Sequence, residues 1–162
     1  MTAAAPRDEA FEARLAAALG AKLMPPGALG RIETLAAQIG RLQRSLEPRM
    51  DRCALTIFAA DHGVAEAGVS AYPQAVTRQM LAAFLAGGAA ATVFAAALGV
   101  PVAIVDAGVA GPPIAHPDLL DRRIGPGTAN FLHGPAMSPA EAEAALAAGR
   151  ALGAAGAGEA AA

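Results

Sequence analysis

The stretch Ile57-Phe58-Ala59-Ala60-Asp61-His62-Gly63-Val64 closes a mainly apolar run that begins at Cys53. A run of that length is too short for an ordinary buried helix, and it predicts a buried β-strand in parallel pairing with its neighbours. Ligands of open α/β sheets bind just beyond the carboxyl ends of the strands. The turn Asp61-His62-Gly63 therefore stands where a binding site is expected.

The same pattern recurs at residues 101–105, where a second apolar run precedes Asp106. Helices are predicted between the two runs: one begins near Pro73, a break follows at Gly87-Gly88, and a second helix covers residues 89–98. The apolar residues of the first helix share one face: Val76, Met80, Leu81 and Phe84. Two parallel strands joined by helices form a βαβ unit with both acids at one edge, so the sequence predicts an α/β fold.

The amino-terminal part of the chain predicts helices without a strand. An Ala-rich helix is expected over residues 10–19, followed by an extended link over 22–27 that its prolines enforce. Apolar residues then recur at three- and four-residue steps over 29–46. This spacing predicts an amphipathic helix that packs on a larger body.

The part of the chain after the second strand predicts loops and then one helix. Residues 108–117 and 122–135 are rich in glycine and proline and should be irregular. Ser138-Pro139-Ala140-Glu141 contains a serine cap, a proline at the first helical position and a glutamate three residues after the serine. The helix that starts there should run to about residue 155, and residues 156–162 predict only weak terminal structure.

Composition restricts the kind of protein. The 162 residues, 55% of them hydrophobic, can build the core of a globular domain. A net charge of −2, with a single tyrosine and no tryptophan, argues against a nucleic-acid partner. Cys53 is the only cysteine, so no intramolecular disulfide is expected. Apolar runs interrupted by Asp61, Arg78 or Pro101, after a charged amino terminus, predict no membrane span and a cytoplasmic location.

Local chemistry leaves two interpretations of Asp61-His62-Gly63 open. The turn could bind a ligand by hydrogen bonds, or its acid and imidazole could simply bond nearby backbone amides. A metal centre is disfavoured because His116 and His133 lie in glycine- and proline-rich loops without ligand-like spacing. No metal is therefore expected.

Other catalytic patterns find little support. Ser70 and Ser138 are not in a G-x-S-x-G elbow, so nucleophilic hydrolysis is disfavoured. Gly125-Pro126-Gly127-Thr128 could offer backbone N–H groups to an anion, but a loop of unusual dihedral angles is the favoured interpretation. No G-x-G-x-x-G follows either strand, so no dinucleotide cofactor is expected, and no other cofactor is indicated.

Several separated stretches together resemble one family, the nicotinate-nucleotide–dimethylbenzimidazole phosphoribosyltransferases. The stretches that carry the resemblance are Pro25-Pro26-Gly27-Ala28-Leu29-Gly30-Arg31-Ile32-Glu33, Ala60-Asp61-His62-Gly63-Val64, Gly68-Val69-Ser70-Ala71-Tyr72-Pro73-Gln74 with Val76-Thr77, Val105-Asp106-Ala107-Gly108-Val109, and Gly127-Thr128-Ala129-Asn130-Phe131 with Gly134-Pro135-Ala136-Met137-Ser138. They occur in the family's order between residues 24 and 159.

The resemblance implies a fold and a reaction. The fold would be a Rossmann-like parallel sheet flanked by helices, with a small helical domain, in a cytoplasmic homodimer. The reaction would transfer phosphoribose from nicotinate mononucleotide to 5,6-dimethylbenzimidazole in cobalamin nucleotide-loop assembly. By matching positions, Tyr72, Pro73 and Met80 would line the slot for the base, and Asp61-His62-Gly63 would form its floor.

The sequence also departs from the family. Members are longer, and where they continue into a G-E-x-G-x-x-N-T-T stretch, only alanines follow Glu159 here. The resemblance places the catalytic glutamate in the missing half, although Glu159 is a possible counterpart of the G-E glutamate. The expected organisation is a helical segment over 1–50 and a truncated α/β domain over 51–162, inactive alone. A benzimidazole-binding module without catalysis and a functionless fragment remain the alternatives.

Overall fold

The computed structural model describes residues 8–23, 25, 27–51 and 53–161, with side chains described as far as Gly156. Its elements in chain order are α1 (Glu9–Gly20), α2 (Arg31–Gln43), β1 (Leu55–Ala60), a 3-10 helix (Gly63–Ala67), α3 (Ala75–Leu85), α4 (Ala90–Ala97), β2 (Val102–Gly108), β3 (Leu119–Asp121) and α5 (Pro139–Ala161). The chain divides into two compact units, Met1–Asp51 and Arg52–Ala162.

The first unit is a pair of packed helices. Asp8 caps the amino end of helix α1, and its side chain accepts a hydrogen bond of 3.1 Å from the backbone N–H of Phe11. Leu15 of α1 is buried and lies so close to Gly40 of α2 that an added Cβ there would come within 2.8 Å of it. Arg41 of α2 forms an ion pair with Glu12 at 2.8 Å, and Arg44, which caps the carboxyl end of α2, forms one with Asp8 at 2.6 Å.

The second unit is a three-stranded parallel sheet in the order β1-β2-β3. One face of the sheet packs against α3. Alternate residues of each strand contribute to this face, because successive side chains of a strand point to opposite faces. The buried core of this face consists of Ala59, Leu81, Ile104, Val109 and Leu119. The predicted α/β fold with parallel strands is confirmed, and of the predicted apolar face of α3, Leu81 is fully buried.

Two predicted element boundaries are wrong, and one strand was not predicted. Strand β2 continues to Gly108, so Asp106 lies inside the strand rather than after it. Strand β3 was not predicted, because its three residues contain too little apolar pattern, although Leu119 pairs with Ile104 of β2. Helix α5 continues to Ala161, since the alanines there are the strongest helix formers and extend the helix beyond residue 155.

One stretch qualifies by length and composition for crossing a membrane. Ala75–Ala97 reaches a mean hydropathy of 1.9, so the single charge of Arg78 does not interrupt it, contrary to expectation. The structure nevertheless divides this stretch into α3 and α4, with Gly87 between them at a φ of 71°. Leu81 in this stretch belongs to the core that packs on the sheet.

Candidate functional site

A cavity of about 540 Å³ lies in the second unit, at the carboxyl end of β1. The 3-10 helix, the loop that follows it and residues of α3 from Val76 to Phe84 complete its wall. Its lining residues are Ile57, Phe58, Ala59, Ala60, Asp61, His62, Val64, Ala65, Val69, Ser70, Tyr72, Pro73, Gln74, Val76, Thr77, Met80 and Phe84. The structure thus brings five of the six residues singled out from the sequence to one cavity, and the sixth, Gly63, forms the turn beside it.

The cavity is mainly apolar and open. Tyr72 is 70% exposed, and Phe58, Val69 and Met80 are also exposed where they line it. Aromatic rings and a thioether favour a flat, apolar guest. Phe58 and Phe84 were not singled out as site residues, because on the sequence they belong to a strand and a helix face. The signal that could have found Phe58 is its position near the end of the apolar run that precedes Asp61.

Asp61 is buried at the base of the cavity, and the protein itself engages both of its carboxylate oxygens. One oxygen accepts a hydrogen bond of 2.6 Å from the hydroxyl of Thr77 on α3. The other accepts a bond of 2.7 Å from the backbone N–H of Ala110, in the loop after β2. Asp61 therefore ties the end of β1 to a helix and to a second loop.

His62 is exposed and joins the turn to two other segments. Its Nδ1 lies 3.3 Å from the hydroxyl oxygen of Thr128, and its carbonyl oxygen accepts a bond of 2.9 Å from the side-chain amide of Gln74. His62 and Thr128 also form an isolated parallel β-bridge. The glycine- and proline-rich loop before Phe131 is therefore packed directly against the predicted site.

Glycine is required at two positions of this packing. A Cβ at Gly63 would come 2.6 Å from the backbone nitrogen of Asn130, and the N–H of Gly63 donates a 2.9 Å bond to the carbonyl of Thr128. Gly127 has a φ of 107°, and a Cβ there would lie 2.8 Å from the carbonyl oxygen of Asp61. The positive φ of Gly127 agrees with the favoured interpretation of the Gly125-Pro126-Gly127 loop as one of unusual dihedral angles, and the close backbone approach adds a second reason for glycine at that position.

The second acid, Asp106 within β2, is also buried but has different partners. One of its oxygens accepts bonds of 2.9 and 2.8 Å from the backbone N–H groups of Gly108 and Val109. The other lies 3.9 Å from Nε of Arg123. Arg123 also donates a 2.8 Å bond to the carbonyl of Gly111, and its NH1 is buried without a hydrogen-bond partner among the described residues. The sequence analysis did not single out Arg123.

A smaller cavity of about 140 Å³ lies where the ends of β1 and β2 approach the start of α5, and Asp61, Ala107 and Glu141 are among its lining residues. The predicted helix start is confirmed: the backbone N–H of Ser138 donates a 2.7 Å bond to the Glu141 carboxylate, and the N–H of Glu141 donates one of 3.3 Å to the Ser138 hydroxyl. The pKa of the Glu141 carboxyl is held below its ordinary value by Ser138. The larger effect comes from the backbone N–H of Ser138 and the smaller one from its side chain.

Two further predictions concern charged residues. Within the described ranges, no group of three or more His, Cys, Asp or Glu residues could hold a metal ion. Glu159 belongs to α5, but its side chain lies outside the described residues. Its suggested catalytic role stays a prediction.

Comparison with known proteins gives the class to which this architecture belongs. The model of a protein family described as "Phosphoribosyltransferase" matches residues 4–161. The nicotinate-nucleotide–dimethylbenzimidazole phosphoribosyltransferase of Ralstonia nicotianae is 55% identical over 144 residues, which are 88% of this chain and 41% of that protein. The protein of the same name from Thermus thermophilus is 53% identical over 126 residues, covering 78% of this chain and 38% of its own length.

A solved structure agrees with these sequence matches. The crystal structure of CobT from Thermus thermophilus superposes with a TM-score of 0.78 at 46% identity, over 93% of this chain and 45% of that one. The chain therefore belongs to the nicotinate-nucleotide–dimethylbenzimidazole phosphoribosyltransferase family. It spans about two fifths of the length of the curated relatives it matches, with 41% coverage for the Ralstonia protein.

Proposed function

We propose that the cavity beside Asp61 binds the aromatic base in the transfer of phosphoribose from nicotinate mononucleotide to 5,6-dimethylbenzimidazole, which yields α-ribazole 5′-phosphate and nicotinate. The observation that carries the proposal is the open, mainly apolar cavity at a strand end, walled by Tyr72, Pro73 and Met80. The names of the relatives supply the reaction.

In this proposal the residues have distinct roles. Tyr72 and Met80 contact the faces and methyl groups of the base, and Pro73 borders the slot beside them. His62 and Gly63 shape the floor together with Asp61. Asp61 itself does not act as the general base, because both of its oxygens already accept hydrogen bonds inside the protein.

The transfer needs a carboxylate that is free to take a proton. Among the described residues that line the cavity, Asp61 is the one carboxylate, and both of its oxygens are engaged. One benzimidazole nitrogen attacks C1′ of the ribose opposite the departing nicotinate, while a base takes the proton from the other nitrogen. We therefore propose that the 162-residue chain binds the base but does not turn it over alone. The helical first unit would belong to the family's small domain, and the whole enzyme would be a cytoplasmic homodimer with small-molecule substrates and no nucleic-acid or membrane partner.

Binding is tested by titrating the chain with dimethylbenzimidazole in a calorimeter. Tyr72→Ala should weaken binding about tenfold, because one wall of a slot for a flat ring is removed, while thermal stability stays unchanged. Phe94→Ala is the matched control, since Phe94 of α4 is an equally exposed aromatic at 68% and is not among the cavity's lining residues. Equal losses in the two variants would refute the assigned slot.

Turnover is tested by incubating the chain with nicotinate mononucleotide and dimethylbenzimidazole and assaying α-ribazole phosphate by chromatography. The chain alone should form no product above the uncatalysed background, and the complete Ralstonia nicotianae relative serves as the positive control. Robust product formation by the chain would contradict the proposed inactivity while leaving the binding site intact.

A further inference from the structure

Helix α3 borders a further cavity, of about 320 Å³, on the face that it turns away from the proposed base site. The α3 residues that line the base site are Val76, Thr77, Met80 and Phe84. Those that line the further cavity recur on the opposite face of the helix, at steps of three and four residues. This cavity, called the Arg78 cavity below, is lined by Arg78, Ala82, Leu85 and Ala86 of α3 with Ile114 and His116 of the loop after β2.

The guanidinium of Arg78 is held in place by the loop after β2. Its Nη1 donates hydrogen bonds of 3.4 and 3.0 Å to the carbonyl oxygens of Ala110 and Pro112, which account for both hydrogens of that nitrogen. Nε and Nη2 have no hydrogen-bond partner among the described residues, and neither is buried. These two nitrogens form one edge of the guanidinium, and such an edge binds both oxygens of a carboxylate.

The positive charge of Arg78 is not balanced by a neighbouring carboxylate. In the described part of the chain, no ion pair involves Arg78. Arg123 differs, because it bonds the carbonyl of Gly111 and also lies 3.9 Å from the carboxylate of Asp106. Arg78 is half-buried, so water screens its charge less than at the open surface, and an anion beside it is attracted more strongly.

The remaining wall of the Arg78 cavity is apolar except for one ring donor. Four of the six lining residues are alanine, leucine or isoleucine. Nδ1 of His116 accepts a 3.1 Å bond from the backbone N–H of Asp118, so the neutral ring carries its proton on Nε2. The volume lies near the lower end of the range for small-molecule sites, about 300–1,000 Å³. These features match a small apolar body that ends in one anionic group.

We propose that the Arg78 cavity binds a small monocarboxylate with an apolar body. The carboxylate lies against Nε and Nη2 of Arg78, and the body packs against Leu85 and Ile114. A phosphate is a poorer ligand, because the apolar wall would leave several of its oxygens without donors. The proposal is independent of the proposed function, since the base site lies on the opposite face of α3.

The test titrates benzoate into the 162-residue chain and follows the backbone amides by NMR. The amide signals of Ala82, Ala86, Ile114 and His116 should shift along one saturation curve, with a Kd of about 1–10 mM for a ligand of this size. Benzamide lacks the charge, acetate lacks the apolar body, and inorganic phosphate has another shape. Each of the three should bind at least about tenfold more weakly.

Three results of this titration would overturn the proposal. Benzamide that binds as tightly as benzoate would mean that the carboxylate is not recognised. Phosphate that binds more tightly than benzoate would indicate another class of ligand. Shifts that leave the four amides unchanged, including shifts confined to Tyr72 and Met80 at the base site, would mean that benzoate does not enter the Arg78 cavity.

Substitutions test the two parts of the cavity separately. Arg78→Gln should weaken benzoate binding about tenfold or more, and Arg78→Lys, which keeps the charge without the planar edge, should weaken it less. Ala82→Leu should also weaken binding about tenfold or more, because the larger side chain fills the cavity, and it leaves the bonds of Arg78 to the loop in place. Circular dichroism of each variant establishes that it folds.

Ala96→Leu is the matched control for Ala82→Leu. Ala96 is an exposed alanine of α4 and lines none of the three cavities described for this chain. Its substitution should leave benzoate binding unchanged. Unaltered affinity in Ala82→Leu, or an equal loss in Ala96→Leu, would contradict the assignment. Dimethylbenzimidazole binding is measured in separate titrations, so this proposal and the proposed function can fail independently.

Discussion

Asp61 and Asp106 each follow an apolar run and look alike in the sequence, but they organise different regions of the molecule. Asp106 bonds the backbone two and three residues ahead of it and lies near a buried arginine, so its environment is closed. Asp61 bonds a hydroxyl 16 residues away and an amide 49 residues away, beside the largest of the cavities described above. One acid stabilises a local turn, whereas the other assembles three separate segments at the border of a binding site.

The largest expected effect is the loss of the closed environment at Asp106. Asp106→Ala leaves two buried backbone N–H groups without an acceptor and removes the carboxylate beside the largely buried Arg123. We expect the free energy of unfolding to fall by about 3 kcal/mol or more. Urea denaturation followed by circular dichroism measures it.

Asp118→Ala is the control for this change, because Asp118 is exposed and lies in the loop before β3. It should change the free energy of unfolding by about 0.5 kcal/mol at most. If Asp106→Ala lowered the free energy of unfolding as little as the control does, the buried hydrogen bonds of Asp106 would not stabilise the fold. Dimethylbenzimidazole binding by the folded Asp106→Ala fraction should be unchanged.

The next effect concerns the backbone packing beside Asp61. Gly63→Ala places a methyl group 2.6 Å from the backbone nitrogen of Asn130, which has no flexible side chain to move aside. We expect the free energy of unfolding to fall by about 2–3 kcal/mol. Gly134→Ala, where nothing lies within 4 Å of the added Cβ, is the matched control for thermal denaturation. Equal melting temperatures in the two variants would contradict the close approach of the two loops.

Asp61→Asn should have a smaller effect on stability and a distinctive effect on binding. The amide oxygen of the asparagine can still accept a hydrogen bond from the Thr77 hydroxyl or from the backbone N–H of Ala110. Its amide nitrogen then faces whichever of these two donors the oxygen does not bond. We expect a loss of about 1–2 kcal/mol in the free energy of unfolding.

The binding of dimethylbenzimidazole should weaken in the folded Asp61→Asn protein, because the floor of the slot shifts. Thr77→Val, which removes one donor to the same carboxylate, should be non-additive with Asp61→Asn in a double-mutant cycle. Calorimetric titration and urea denaturation of the three variants measure both quantities. If Asp61→Asn bound dimethylbenzimidazole as well as the native chain does, Asp61 would contribute no more to binding than Asp106.

The sequence predicted the strands β1 and β2 that position the two acids, but not the groups that the acids contact. Apolar runs that end in acids correctly predicted β1 and β2, because a buried strand leaves a clear pattern over several residues. β3 was missed since Leu119 is the only buried residue in its three positions. The partners Thr77 and Ala110 of Asp61 lie far away along the chain, and no local pattern relates them to the acid. Arg123 became interpretable only once β3 placed it near Asp106.

The smallest expected effect lies at the smaller cavity, where both strand ends approach α5. The bonds from Ser138 hold the pKa of Glu141 below its ordinary value, so the ionised carboxylate stabilises the folded state. This stabilisation is fully present above the pKa of the unfolded chain and is lost as the pH falls through the lower folded pKa. The melting temperature of Glu141→Gln should therefore lie slightly below that of the native chain at neutral pH. This difference in melting temperature should disappear at acidic pH. Glu143→Gln, two residues further along α5, is the control and should show no such change with pH. A difference for Glu141→Gln that persists at low pH would mean that the capping bond does not depend on ionisation.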